Sequence, residues 1–420
     1  MYDVVIVGAG PAGLSAAIAC RGWDLNVLVL DEFPKPGGRL LGQLHQEPDG
    51  EWWNGIKEAG KLLEDAEERG AEIRCGNSVH HVERTDNGFN VHTNKGKVKT
   101  EKLLLATGAA ESAAPVPGWT LPGVMSIGAA QVMTNVHRVR VGSKGIVVGI
   151  NVLSAAIARE LTLAGTELHS MALPVQNTVT RDRGNPVKVM EGLARIAHMA
   201  PSRFLRLGGW FARSSWVRRL AVKFYPKGGV SVWGIPVQIR RAVTKINGED
   251  RVESVTTCDV TSGGKPIPGS ERTIDVDFVC IAGGLYPLAE LAAVIGCPFR
   301  NMKELGGHVP VHNEQMETPI EGLYVAGNIT GIESAKVAAA QGRVAGLSMA
   351  RDNTGDTKEI DHRIRKAVQA VKSTRKQASI QFHPEIEEGR LRMERAFRET
   401  QGRAGCIVMT GAKVLPLIIR

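Results

Sequence analysis

Near the amino terminus, Gly8-Ala9-Gly10-Pro11-Ala12-Gly13 has the spacing GxGxxG. These residues matter for the side chains they lack. Gly8 permits a tight turn. Gly10 lets a pyrophosphate approach bare backbone. Gly13 lets a helix pack against a strand. The free N–H groups opening that helix attract phosphate charge. Asp31, eighteen residues after Gly13, can accept hydrogen bonds from ribose hydroxyls. The elements that position these residues are legible on both sides. Asp3–Val7 reads as a buried parallel strand, Leu14–Cys20 as an alanine-rich helix and Asn26–Leu30 as a second apolar strand. A lone GxGxxG is weak, but between two strands and ahead of an acid it specifies dinucleotide binding.

Three later segments extend the pattern. Gly37-Gly38-Arg39-Leu40 carries a glycine pair that lets the chain pass close to a flat cofactor. Leu103–Leu105 reads as a strand ending in Ala106-Thr107-Gly108, and Thr318–Asn328 reads TPIEGLYVAGN ahead of a small-residue helix, Ser334–Gly346. In this order the segments resemble the FAD-binding half of the flavoproteins with two dinucleotide-binding domains, the glutathione- and thioredoxin-reductase relatives. Gly37–Leu40, Leu121–Val124 and Gly331–Ala338 further resemble the α subunits of dye-linked proline and hydroxyproline dehydrogenases, opine oxidase and hydrogen cyanide synthase. The resemblance covers roughly residues 1–350.

The resemblance implies FAD as cofactor. By position, Gly8, Gly10, Ala12 and Gly13 would hold its pyrophosphate, and Asp31 its ribose. Gly38 and Arg39 would lie beside the ribityl chain or flavin, and Val79 would meet adenine through its backbone. Thr107 and Gly108 would flank the dinucleotide. Gly327 and Asn328 would reach the ribityl and phosphate, and Ser334 and Ala335 the pyrimidine edge of the flavin. Arg39 stands where most relatives have Gln, and Asn328 where many have Asp. Arg39 has three readings: stabiliser of an anionic reduced flavin, phosphate or carboxylate contact, or solvated side chain. His45, Glu333 and Lys336 are candidate proton donors, and no catalytic residue is singled out.

A second unit starts with Lys144–Gly149, a strand and turn, followed by a helix at Ala155–Ala164. Its fingerprint is degenerate. With Gly149 first, the other two glycine positions are Asn151 and Ser154; with the register set from the helix end, the three are Val148, Ile150 and Leu153. Either way a side chain occupies the pyrophosphate position, and the next strand, ending near Pro174, offers no acid. Productive NAD(P)H binding is not expected. No CxxC pair occurs among the six cysteines, which excludes a local redox dithiol, and no metal-ligand cluster is visible. The tail holds only Cys406, too few ligands for an iron–sulfur cluster.

The chain has 420 residues, 43% apolar and 23% charged, with a formal net charge of +9. Residues 181–227 hold eleven Lys/Arg against two acids, so the whole excess is local. Phe204, Trp210, Phe211, Trp216, Phe224 and Tyr225 are interleaved there. The arm reads as a membrane-surface element, a dock for an acidic partner, or an amphipathic cap on its own domain; nucleic acid is not expected. The first residues lack a secretory pattern and no apolar run spans a bilayer, so a cytoplasmic protein, peripheral to the membrane through 181–227, is expected. The apolar end, Val414–Ile419, suits docking on a partner or on its own domain.

The fold expected is α/β, with two nested Rossmann-like three-layer domains and a helical tail. The FAD domain is discontinuous, 1–121 and 287–351. The NAD(P)-like domain covers 122–286, and the tail 352–420. The function expected is an FAD-dependent oxidoreductase resembling the α subunit of a multi-subunit amine or amino-acid dehydrogenase. Its expected partners are a second flavoprotein subunit, a small iron–sulfur electron carrier, or both. The alternatives are an autonomous NAD(P)H-dependent flavin reductase and a non-catalytic nucleotide-binding assembly subunit.

Overall fold

The computed structural model describes all residues except 48–49, 196, 198–202, 212–213, 354–356, 379–381 and 409–420. The end Val414–Ile419 and the side chains of Phe204, Phe211 and Cys406 thus lie outside the described part. The chain forms two compact units: Met1–Leu40, Glu58–Ala109 and Tyr286–Arg420 make the first, and Leu41–Lys57 with Ala110–Leu285 the second.

The first unit is built on a mixed sheet. Its strands run in the order Glu72–Cys75, Val27–Asp31, Tyr2–Val7, Gly96–Leu105, Gly88–Thr93, Val79–Thr85, and Leu323–Val325 also pairs with Gly96–Leu105. The Glu72, Val27, Tyr2, Gly96 and Leu323 strands are mutually parallel, and the remaining two form an antiparallel extension. Side chains alternate across the sheet. Val4, Ile6, Val27 and Val29 face the helices Pro11–Arg21, Ala335–Ala350 and Thr357–Gln377, while Val5, Val7, Leu28 and Leu30 line the other face with Ala289 and Ala292. The sheet thus lies between a layer of helices and a layer of strands with the short helix Glu290–Val294, three layers as the sequence predicts. Small residues let two of the helices touch: a Cβ on Gly342 would lie 1.9 Å from the Ala12 carbonyl oxygen.

The second unit repeats the plan. Its strands run Val124–Ser126, Phe278–Ile281, Lys144–Val148, Glu167–Pro174, Ile235–Asn247, Ser254–Asp259, Arg272–Asp275. The first five are parallel and the last two antiparallel. Residues 41–57 cluster with this unit. The reason is local bonding: Leu44 N donates to Glu160, and Asn135 donates to the Gly42 carbonyl.

The tail belongs to the first unit. Helix Thr357–Gln377 buries Ile360, Ile364, Ala367 and Val371, one stripe at helical spacing. The following helix, Ile386–Val408, packs Ile386, Met393, Ala396 and Phe397 on Met302, Leu305, Val309 and Val311.

Candidate functional site

In the first unit, the parallel strands end at the residues singled out by the fingerprint. Gly8 follows Val7 with φ of +108°, and an added Cβ would stand 2.4 Å from the Ala106 carbonyl oxygen. Gly13 is closed by packing, since its Cβ would lie 1.8 Å from Gly8 O. Gly10 differs. It caps helix Pro11–Arg21 with no side-chain cap bond, and within 4 Å of its added Cβ there is only Gly38 Cα, at 4.0 Å. A bare helix N-terminus beside open space is what a pyrophosphate requires.

Two of the other predicted residues, Gly38 and Gly327, close on this turn. Gly38 approaches Gly10 so closely that its own Cβ would lie 3.0 Å from Gly10 Cα. Gly327 faces Ala12, with a Cβ-to-Cβ separation of 2.9 Å if a side chain were added. Asp31 ends its strand. Its Oδ2 accepts from Ala9 N at 2.6 Å and its Oδ1 from Phe33 N at 2.8 Å. Each oxygen keeps further lone-pair capacity for a ribose hydroxyl. Burial raises the Asp31 carboxyl pKa, and the two backbone donors partly oppose that. Asn77 N donates to Asp31 O, so the segment leading to Val79 runs beside the acid. Thr107 and Gly108 follow the central strand; the Thr107 hydroxyl donates to Leu288 O, and Gly108 O accepts from Leu288 N. Arg39 is exposed and donates to the Ala109 carbonyl. Asn328 Oδ1 accepts from Glu333 N and keeps a second lone pair, and its Nδ2 is a further donor. Ser334 caps helix Ala335–Ala350 by accepting from Val337 N, and Ala335 opens its first turn.

Behind this last loop lies a cluster that motif reading does not reveal. Buried Glu333 pairs with Arg375 through Nε and Nη2 and with Arg390 through Nη2. Gln341 Nε2 also donates to it, while Gln341 Oε1 accepts from Gly327 N at 2.9 Å. Arg390 Nη1 further donates to the Thr330 carbonyl and lies 3.1 Å from His312 Nε2. Both arginines come from the tail. Burial pushes the Glu333 carboxyl up, but the Arg390 and Arg375 charges more than offset it and hold its pKa below the usual value. Glu333 is thus ionised near neutral pH, which removes it from the candidate proton donors. Burial and then the Arg390 charge push His312 down to about 3, so it stays neutral.

The second unit presents the same turn in another state. Gly149 has φ of +115°, and its added Cβ would stand 2.3 Å from Ala282 O, matching Gly8 and Ala106. Asn151 caps helix Val152–Leu163, matching Gly10, which decides between the two registers. Asn151 Oδ1 accepts from Ser154 N, and Ser154 Oγ accepts from Asn151 N, each at 2.9 Å. This capping box occupies donors that Gly10 leaves bare. Gly149 N bonds Ala172 O as Gly8 N bonds Leu30 O, so Leu173 stands where the first unit has Asp31. Nearby Glu160 accepts from Gln131, Asn135 and Leu44 N, all neutral donors, and burial raises it to about 7. Its partners lie far along the chain, so no sequence motif marks it.

Thiol chemistry has no support among the described residues. Their five cysteines are free, and burial pushes Cys20, Cys280 and Cys297 up to about 12. No group of three or more metal-binding side chains occurs among the described residues.

The profile of the pyridine nucleotide-disulphide oxidoreductase family matches residues 2–203 and 231–342. The opine oxidase A subunit of Agrobacterium tumefaciens (strain Ach5) is 28% identical over 367 residues, 84% of this chain and 66% of that one. The chain therefore spans just under two thirds of that relative's length. Hydrogen cyanide synthase subunit HcnB of Pseudomonas protegens is 24% identical over 82% of this chain and 69% of its own. Among solved structures, L-proline dehydrogenase from P. horikoshii shares the fold with a TM-score of 0.61 at 19% identity, covering 87% of this chain and 58% of that one. The cofactor is FAD, and the bare Gly10 turn with its terminal acid fits an adenine dinucleotide. The chain belongs to the pyridine nucleotide-disulphide oxidoreductase family.

Proposed function

We propose that this chain is the FAD-carrying α-type subunit of a multi-subunit dehydrogenase acting on the C–N bond of an amine or amino acid. The observation that carries the reading is the second unit's turn. A side-chain cap fills the pyrophosphate position there, and Leu173 replaces the ribose acid. A chain without a nicotinamide site takes its electrons from a substrate or from a partner. The names of its relatives, the opine oxidase A subunit and hydrogen cyanide synthase subunit HcnB, support a role beside other subunits. A second flavoprotein subunit, a small iron–sulfur carrier, or both, are the partners in this reading.

FAD, when bound, supplies a two-electron acceptor. The chain's own residues orient it: Gly10 and the helix start receive the pyrophosphate, Asp31 the ribose, and Asn328 with Ser334 and Ala335 the far end. The Glu333 cluster holds that last loop in place. We place the protein in the cytoplasm, with peripheral membrane contact through residues 181–227. No described helix is long and apolar enough to cross a membrane.

The test is an anaerobic titration of the flavin in the purified protein, first by itself and then with its partner subunit. NADH and NADPH are expected to leave the flavin oxidised, and an amine or amino acid to bleach it. Bleaching by either nicotinamide within a turnover time would replace this reading with the autonomous reductase.

A further inference from the structure

The arm carries an apolar row turned outward. Along helix Ser215–Lys223 and the residue after it, Trp216, Leu220 and Phe224 recur at four-residue spacing and are 71%, 43% and 73% exposed. A helix in a water-soluble protein normally buries such a row. Here Val222 faces inward instead, and Arg218 turns toward Glu191 at 3.4 Å. Arg219 and Lys223 border the exposed row, and Lys223 Nζ lies 5.9 Å from the Phe224 ring centre. The preceding helix, Arg203–Phe211, also exposes Arg206, Leu207 and Trp210.

The charges select the kind of surface that would cover this row. Glu191, one of only two acids in residues 181–227, already faces Lys188, Arg195 and Arg218. Among the described residues, no carboxylate pairs with Arg219, Lys223 or Lys227. Lysine is depleted in protein–protein interfaces. Cations beside an outward row of Trp, Leu and Phe suit a bilayer interface, where rings enter the headgroup layer and cations meet lipid phosphates. We propose that Trp216, Leu220 and Phe224 insert at the headgroup level of an anionic bilayer while Arg219, Lys223 and Lys227 bind its phosphates. The inference rests on the peripheral contact proposed above and is independent of the substrate chemistry.

Flotation of the full flavin-loaded chain tests it. One set of vesicles is phosphatidylcholine alone, and the other is an equimolar mixture with phosphatidylglycerol. The wild-type chain is expected to float with the mixed vesicles at low salt and to stay behind with the neutral ones. The W216S/F224S variant should partition at least about tenfold less. R219Q/K223Q/K227Q should lose about a hundredfold, at roughly fivefold per cation. Both variants should keep wild-type flavin content and melting temperature, because all five side chains are exposed. Undiminished flotation of W216S/F224S overturns the apolar insertion while leaving a peripheral contact standing. A wild-type chain that ignores both vesicle types overturns both and leaves an acidic protein as the occupant.

Discussion

The two Rossmann-like turns of this chain share a backbone and differ in what closes them. Gly8 and Gly149 take the same left-handed conformation against the carbonyls of Ala106 and Ala282. Beyond that point, the first helix starts bare at Gly10, and the second is sealed by Asn151 and Ser154. A helix N-terminus has a fixed number of unsatisfied donors, which either a ligand or the protein can satisfy. The fold alone therefore does not identify a nucleotide site; the state of the helix start does.

The largest expected effect breaks the open turn. Gly10→Val fills the space facing the ligand while meeting no protein atom closely. The variant should fold with a near-wild-type circular dichroism melt and purify colourless. Retention of stoichiometric flavin would show that the pyrophosphate lies elsewhere.

Next comes the support behind the loop. Arg390→Met leaves Glu333 with one cation in a buried place. Breaking a buried pair in this way costs about 3 kcal/mol or more. The urea midpoint should fall and the FAD dissociation constant rise together. The pH dependence has a definite sign. The folded Glu333 carboxyl lies below its usual pKa, so its stabilisation is complete above the unfolded carboxylate pKa. It is lost as pH falls through the lower folded value. Glu333→Gln should flatten that acid limb of the stability curve.

Asp31→Asn should weaken FAD by roughly 10–100-fold, the loss of a charge-assisted hydrogen bond, read by equilibrium dialysis. The smallest effect belongs to the sealed turn. Asn151→Gly should cost only about a few tenths of a kcal/mol and leave NADH oxidation at background, because Leu173 still stands in the acid's place. A large gain of NADH oxidation would mean that the cap alone silences the second unit.

The first turn is legible in the sequence because all its signals are contiguous: strand, GxGxxG, alanine-rich helix, strand, acid within residues 3–31. The second is legible only as a loss, with two registers open, since a degenerate fingerprint has no glycine spacing to anchor it. The φ of Gly149 and the cap at Asn151 decide it. Motif position puts Glu333 at the flavin edge, but its two arginines lie 42 and 57 residues further on. No periodicity links them. The same holds for residues 41–57, whose hydrogen bonds run to Asn135 and Glu160.

The Glu333 cluster also has a consequence for synthesis. The first half of the cradle, residues 8–38, leaves the ribosome early, but the cluster behind its far loop is completed by Arg390. Elongation at about 5–20 residues per second places more than 15 s between them. Residues 110–285, the greater part of the second unit, emerge wholly within that interval. The nascent chain therefore holds an incomplete cradle while its other unit has the sequence it needs to fold. Truncation between residues 286 and 389 would release a protein with the second unit's sequence entire and a poorly held flavin.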